Sequence, residues 1–188
     1  DLFAGSGAVA IYVARKFPLT VLAFDLQRYS TALTAAVVTR QAKLNCEAAW
    51  TKWHTDAAAW FSNRKIPRAE KLTHNNVADL RCWCDGKVDF PITKAYGGHY
   101  FSPRQTVWID ALRKNLPPRN PARTVAVAAL IQAASQCAAA PGHTAQPFQP
   151  TPTAKRFIEE AWSRDIVAKT KSAFESLSYR ELAEPLIA

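Results

Sequence analysis

The opening stretch, DLFAGSGAVAIYVARKFPLTVLAFD, constrains what this chain can fold into more than any other segment. Gly5 and Gly7 follow a short apolar run and open a segment, Ala8 to Lys16, in which Val9, Ala10 and Val13 share one face at helical spacing. Phe17-Pro18 ends that helix. Thr20 to Phe24, TVLAF, is apolar with a β-branched start and reads as a buried parallel strand. Asp25 stands at the strand's end, and a second helix is expected from Ser30 to about Lys43. Strand, glycine turn, helix, strand, acid, helix is a βαβ unit with its first strand shortened. It predicts an α/β fold class: a partial Rossmann-like core over residues 1–45.

Each part of the turn has a mechanical reason. Gly5 permits a tight turn, Gly7 lets the backbone approach a ligand closely, and the small Ala10 lets the helix pack on a sheet. Asp25, 20 residues after Gly5, is placed to accept hydrogen bonds from two ribose hydroxyls. A dinucleotide would set its pyrophosphate on the helix N-terminus. Asp1 at the strand end repels a pyrophosphate and suits a cation. S-adenosylmethionine carries a sulfonium and an amine, so it is the expected cofactor. A nicotinamide dehydrogenase is disfavoured for the same reason.

Beyond this core the pattern changes. Residues 46–64 read as a helix with Trp50, Trp53, Ala57 and Trp60 along one stripe, which is core spacing. Residues 65–104 read as irregular. Helices are expected over 104–115, 121–140 and 154–178, the last broken near Asp165, with a proline-punctuated loop at 141–153 and a strand beginning near Leu186. The organisation expected is a core at 1–45, an inserted, largely helical target-recognition region at 46–150, and a segment returning to the core at 151–188.

Charge enters here. The 188 residues carry 24 Lys and Arg against 15 Asp and Glu, a formal net charge of +9, which favours a polyanionic partner through counterion release. Within residues 81–104, Arg81, Lys87, Lys94, His99 and Arg104 interleave with Trp83, Phe90, Tyr96, Tyr100 and Phe101. Cations that neutralise phosphates, set among rings that stack on bases, suit nucleic acid.

DLFAGSGAVA, in the order D-x-F-x-G-x-G, resembles the S-adenosylmethionine motif of Dam-like DNA adenine-N6 methyltransferases. GKVDFPITKAYGGHYFSPRQ, residues 86–105, is similar to a segment of the same family through Gly86, Lys87, Pro91, Lys94, Tyr96, Tyr100, Phe101 and Pro103. The resemblance implies cofactor binding by Asp1, Phe3, Gly5, Gly7 and Asp25. It implies contact with double-stranded DNA by Lys87, Lys94, Tyr96, His99, Tyr100 and Arg104. The family catalyses with an Asp-Pro-Pro-Tyr type motif, and none occurs here; Pro117-Pro118 lies between Leu116 and Arg119 and reads as a helix stop. No catalytic residue is therefore assigned. The chain has no methionine, position 1 included, and reads as a piece of a longer open frame, itself inactive. A methyltransferase acting on RNA or protein, or a non-catalytic DNA-binding module, remain open at this stage.

Four cysteines, Cys46, Cys82, Cys84 and Cys137, show no zinc-ligand spacing and suggest reduced thiols in the cytoplasm. No metal site and no membrane span are expected, since no run of about 18 apolar residues is free of charge. The oligomeric state is not legible.

Overall fold

A computed structural model describes residues 2–17, 19–40, 43–67, 72–142 and 146–180. Among these residues the regular structure is helical: α1 (Ala8–Lys16), α2 (Arg28–Val38), α3 (Cys46–Ser62), α4 (His74–Asp85), α5 (Pro91–Tyr96), α6 (Pro103–Lys114), α7 (Ala122–Cys137), α8 (Lys155–Ser163) and α9 (Ile166–Ser178). Contacts divide the chain into two compact units, one formed by residues 1–53, 116–132 and 170–188, the other by 54–115 and 133–169.

The expected α/β core is not there: the described residues hold no sheet, and their one β-bridge is an isolated pairing of Gly97 with Phe101. Residues 2–4 and 19–25 run without regular structure, joined by a hydrogen bond from Ala4 N to Phe24 O, 2.9 Å. The physical reason is lack of cover. A parallel strand is stable when both faces are buried and several strands pair. Here Leu2, Phe3, Leu22 and Phe24 are 74, 80, 66 and 55% exposed. The Rossmann-like reading of residues 1–45 is therefore corrected to two helices, α1 and α2, joined by extended segments. The strand expected near Leu186 falls outside the described residues.

In the first unit, Trp53 packs edge-on against Trp50 at 5.5 Å between centroids, and both rings meet Phe174 at 5.5 and 6.2 Å. Of the expected stripe, Trp50, Trp53 and Ala57 are buried, as their spacing predicts, whereas Trp60 is only half-buried. Arg40 fastens the ends of two helices. Its side chain is buried, and its guanidinium donates to the carbonyls of Ala36, Ser178, Leu177 and Arg180. Carbonyls at helix C-termini lack intrahelical partners, and the dipole there favours a cation.

In the second unit, Leu72, Val77, Leu80 and Ile158 form a buried cluster against which Phe148 and Trp162 pack. Residues 65–104, expected to be irregular, carry α4 and α5. Thr73 and Asn76 close a capping box at the start of α4. The six-residue α5 begins with Pro91 and is capped from α6: the buried Asp110 carboxylate accepts from Ile92 N at 3.0 Å, Thr93 N at 2.9 Å and Thr93 Oγ1 at 2.8 Å. Gly97 touches α4 so closely that a Cβ there would lie 2.5 Å from Cys84 Sγ. Gln105 both caps α6 and donates to the carbonyls of Ala161 and Arg164, each at 2.9 Å, sewing α6 to the turn between α8 and α9. No helix among the described residues is long and apolar enough to cross a membrane.

Candidate functional site

The glycine turn is formed as its sequence requires. Gly5 and Gly7 have φ of +51° and +77°, the left-handed region that side chains disfavour. Gly7 N donates to Ala4 O at 2.7 Å, closing the turn, and α1 starts immediately after with no side chain capping it. A Cβ at Gly7 would lie 2.5 Å from Thr34 Oγ1 on α2, so glycine is needed for contact as well as for φ. Ala10 is buried.

Asp25 is drawn into this corner across 20 residues. Its Oδ2 accepts from Gly5 N at 2.9 Å and its Oδ1 from Gln27 N at 2.8 Å. The Gln27 and then the Gly5 amide hold its carboxyl below the ordinary value of 3.8, and slight desolvation opposes them. Ser30 adds a weaker pull, although its hydroxyl, like that of Thr34, is buried without a hydrogen-bond partner at full geometry. Each carboxylate oxygen has a further lone pair, and the residue is partly open to solvent. Phe3 is exposed beside the turn, and Asp1 lies outside the described residues. The corner sets an ionised acceptor beside a glycine turn and an open helix start, and can accept hydrogen bonds from hydroxyl groups.

Most of the residues expected to meet DNA lie in and around one turn. His99 N and Tyr100 N both donate to Tyr96 O, and the Tyr96 and Tyr100 rings meet edge-on at 5.9 Å. Arg81 Nε donates to Gly98 O at 2.9 Å, fixing that turn to α4. Lys94 is exposed on α5, and Lys87 Nζ stands 4.3 Å over the Trp83 ring. Burial, then the Arg81 charge, push the His99 imidazole below its ordinary 6.5, against a smaller pull from Asp85, so it is neutral near pH 7. A neutral ring can share a hydrogen bond with a phosphate but brings no counterion release. Arg104 lies elsewhere, 5.1 Å over Phe61.

Two cations escaped the sequence reading as a group. Arg64 lies 4.5 Å over Trp60 and 5.6 Å over Phe90, and Lys114 Nζ lies 5.9 Å from Trp60. Arg64 follows Trp60 by four residues, a spacing visible in the sequence. Phe90 and Lys114 arrive only through tertiary folding.

A cavity of about 420 Å³ beside α6 and the α8–α9 turn offers less chemistry. Gln105 is committed to two carbonyls, Arg164 to Glu160 and Gln136, and Asp165 to the amides of Val167 and Ala168. Trp108, on its wall, is already stacked. His54 and Phe61 lie two turns apart on α3, roughly 10.5 Å of rise. Their rings stand 5.9 and 4.0 Å from Trp108, both 12° from parallel, so the indole is already engaged in stacking within this wall. No group of three potential metal ligands occurs among the described residues.

Comparison with known proteins gives no match to a family model, a curated protein or a solved structure.

Proposed function

We propose that this chain carries the S-adenosylmethionine corner and the DNA-binding surface of a site-specific DNA adenine-N6 methyltransferase working in the cytoplasm. One observation carries the reading: Asp25 is hydrogen-bonded to Gly5 N, so the turn and the distant acid that the motif requires share one corner. In this reading Asp25 accepts the ribose hydroxyls, Gly5 and Gly7 let the backbone approach the nucleoside, and Phe3 borders the sulfonium end, for which the resemblance also names Asp1. The cofactor supplies an electrophilic methyl group. Transfer to adenine needs an Asp-Pro-Pro-Tyr type motif, which these 188 residues lack, so the roles assigned here are binding roles. Weak cofactor affinity is expected, because no sheet among the described residues stands behind the corner.

Isothermal titration calorimetry with S-adenosylmethionine tests this. Asp25→Asn keeps the shape but loses the charge and one acceptor, and it should weaken binding several-fold. The wild type should ignore NAD. Preference for NAD, or equal affinity of wild type and Asp25→Asn for S-adenosylmethionine, would overturn the assignment. The pH dependence has a definite sign. A carboxyl held below 3.8 in the folded protein keeps its contribution above that value and loses it as the pH falls through the lowered one. Binding should therefore be flat near neutrality and fail in acid.

A further inference from the structure

We infer that Arg64 and Lys114, held over Trp60 and Phe90, form a phosphate-binding site for the backbone of double-stranded DNA. The inference rests on the DNA reading above and moves its centre to two cations, Arg64 and Lys114, that lie outside the segment resembling the methyltransferase family.

Trp60 lies near the end of α3 and Arg64 two residues beyond it, where Arg64 N donates to Phe61 O at 3.1 Å. Phe90 is the cap residue of α5, and Lys114 ends α6. Three separate parts of the second unit thus deliver two cations to one aromatic pair, whose centroids are 5.0 Å apart and whose planes meet at 48°. Both cations are exposed, whereas the two rings are half-buried. Their guanidinium and ammonium groups are no more than about 10 Å apart, the limit set by their distances to the Trp60 centroid. That is within one Debye length, about 10 Å at 0.1 M salt, so the charges repel one another.

Among the described residues neither Arg64 nor Lys114 forms an ion pair, while Lys155, Arg164 and Lys171 each pair with a glutamate one turn away. Asp89, adjacent to Phe90, is exposed and pairs with neither. The ring faces orient the two groups through their quadrupoles without cancelling their charge. What remains is a preorganised pair of positive charges on an apolar floor, open to solvent. A guanidinium fork suits bidentate binding of phosphate oxygens, and an ammonium adds a second point contact. A chain of regularly spaced phosphates relieves the repulsion between them. The net charge of +9 attracts such a chain from a distance.

Fluorescence anisotropy with a fluorescein-labelled duplex DNA of mixed sequence provides the test, over a salt series from about 50 to 200 mM. Arg64→Gln and Lys114→Gln should each weaken binding several-fold. Each should also flatten the slope of log affinity against log salt by about 0.9, the value for one lost phosphate contact, and the double variant by about twice that. Arg64→Lys keeps the charge and should keep the wild-type slope. Lys155→Gln, which removes a cation already paired with Glu159, should leave it unchanged. Unaltered circular dichroism and melting of the glutamine variants exclude unfolding as the cause. If wild type binds duplex DNA and the double variant shows the same slope, this site is wrong while the DNA reading stands. If wild type binds no duplex DNA at any salt, both fail. Dependence on these cations for single-stranded RNA alone also overturns the inference.

Discussion

Cys82 and Cys84 sit two residues apart on α4 in opposite surroundings. Cys82 is exposed, whereas Cys84 is fully buried under Gly97. Burial pushes the Cys84 thiol up to about 12, with Asp85 adding to the rise and Lys87 opposing it. Burial also raises Cys46 and Cys137. The thiolate is the nucleophile, so a raised and buried thiol is inert. Iodoacetamide at mildly alkaline pH should therefore modify Cys82 first, and the other three only after denaturant is added. Peptide mass spectrometry reads the order, and early labelling of Cys84 would mean that the Gly97 contact opens readily. The C-x-C spacing gave no sign of this contrast. Helical periodicity turns two residues apart to opposite sides, but which side is inside depends on Gly97, and its approach is a tertiary event.

At the scale of elements, the most demanding contact is the one made by Arg40. Its guanidinium is buried among carbonyls from the ends of α2 and α9, residues some 137 to 140 positions apart for the long-range bonds. Arg40→Met would fill the space but leave those carbonyls without donors, and should cost about 2–4 kcal/mol of stability. Arg40→Lys should recover only part, because an ammonium cannot reproduce the planar spread of the guanidinium. Urea unfolding followed by circular dichroism measures both, and a Met variant as stable as wild type would show that water reaches those carbonyls. Much of the helical layout was legible without such contacts. α1, α3, α6 and α7 fall where apolar spacing and proline stops place them, and the break expected near Asp165 separates α8 from α9. The misses have physical causes. α5 is too short to declare itself by period and depends on Asp110 for its cap. Residues 20–24 carry strand-forming side chains, but an apolar, β-branched run makes a strand only with neighbours to pair with and cover it. At the candidate corner, the glycines and Asp25 were legible because their roles are local or follow a fixed spacing. Arg64 and Lys114 were not, since their significance lies in sharing Trp60.

On the scale of the whole molecule, apolar exposure is unevenly distributed. Of the fourteen large apolar side chains exposed among the described residues, ten lie between Leu2 and Tyr29. Leu26 is 96% exposed and Phe3 80%, whereas α6 and α9 bury almost all of theirs. Single exposed apolar residues are ordinary, but such a concentration marks an interaction surface or a liability to associate. The positive net charge opposes association at low salt, and salt screens that repulsion over a shorter range as its concentration rises. The chain should therefore bind the apolar dye ANS while folded, and its sedimentation should shift towards larger species as salt is increased. Leu22→Lys with Leu26→Lys should lower the dye signal and delay the shift, with the helical circular dichroism preserved because neither residue lies in a helix. The direction of the salt effect separates this from association through charge, which would weaken as salt rises. If the double variant binds as much dye as the wild type, the apolar surface of residues 2–29 is covered in solution, and the extended segments around Asp25 have found the cover they lack here.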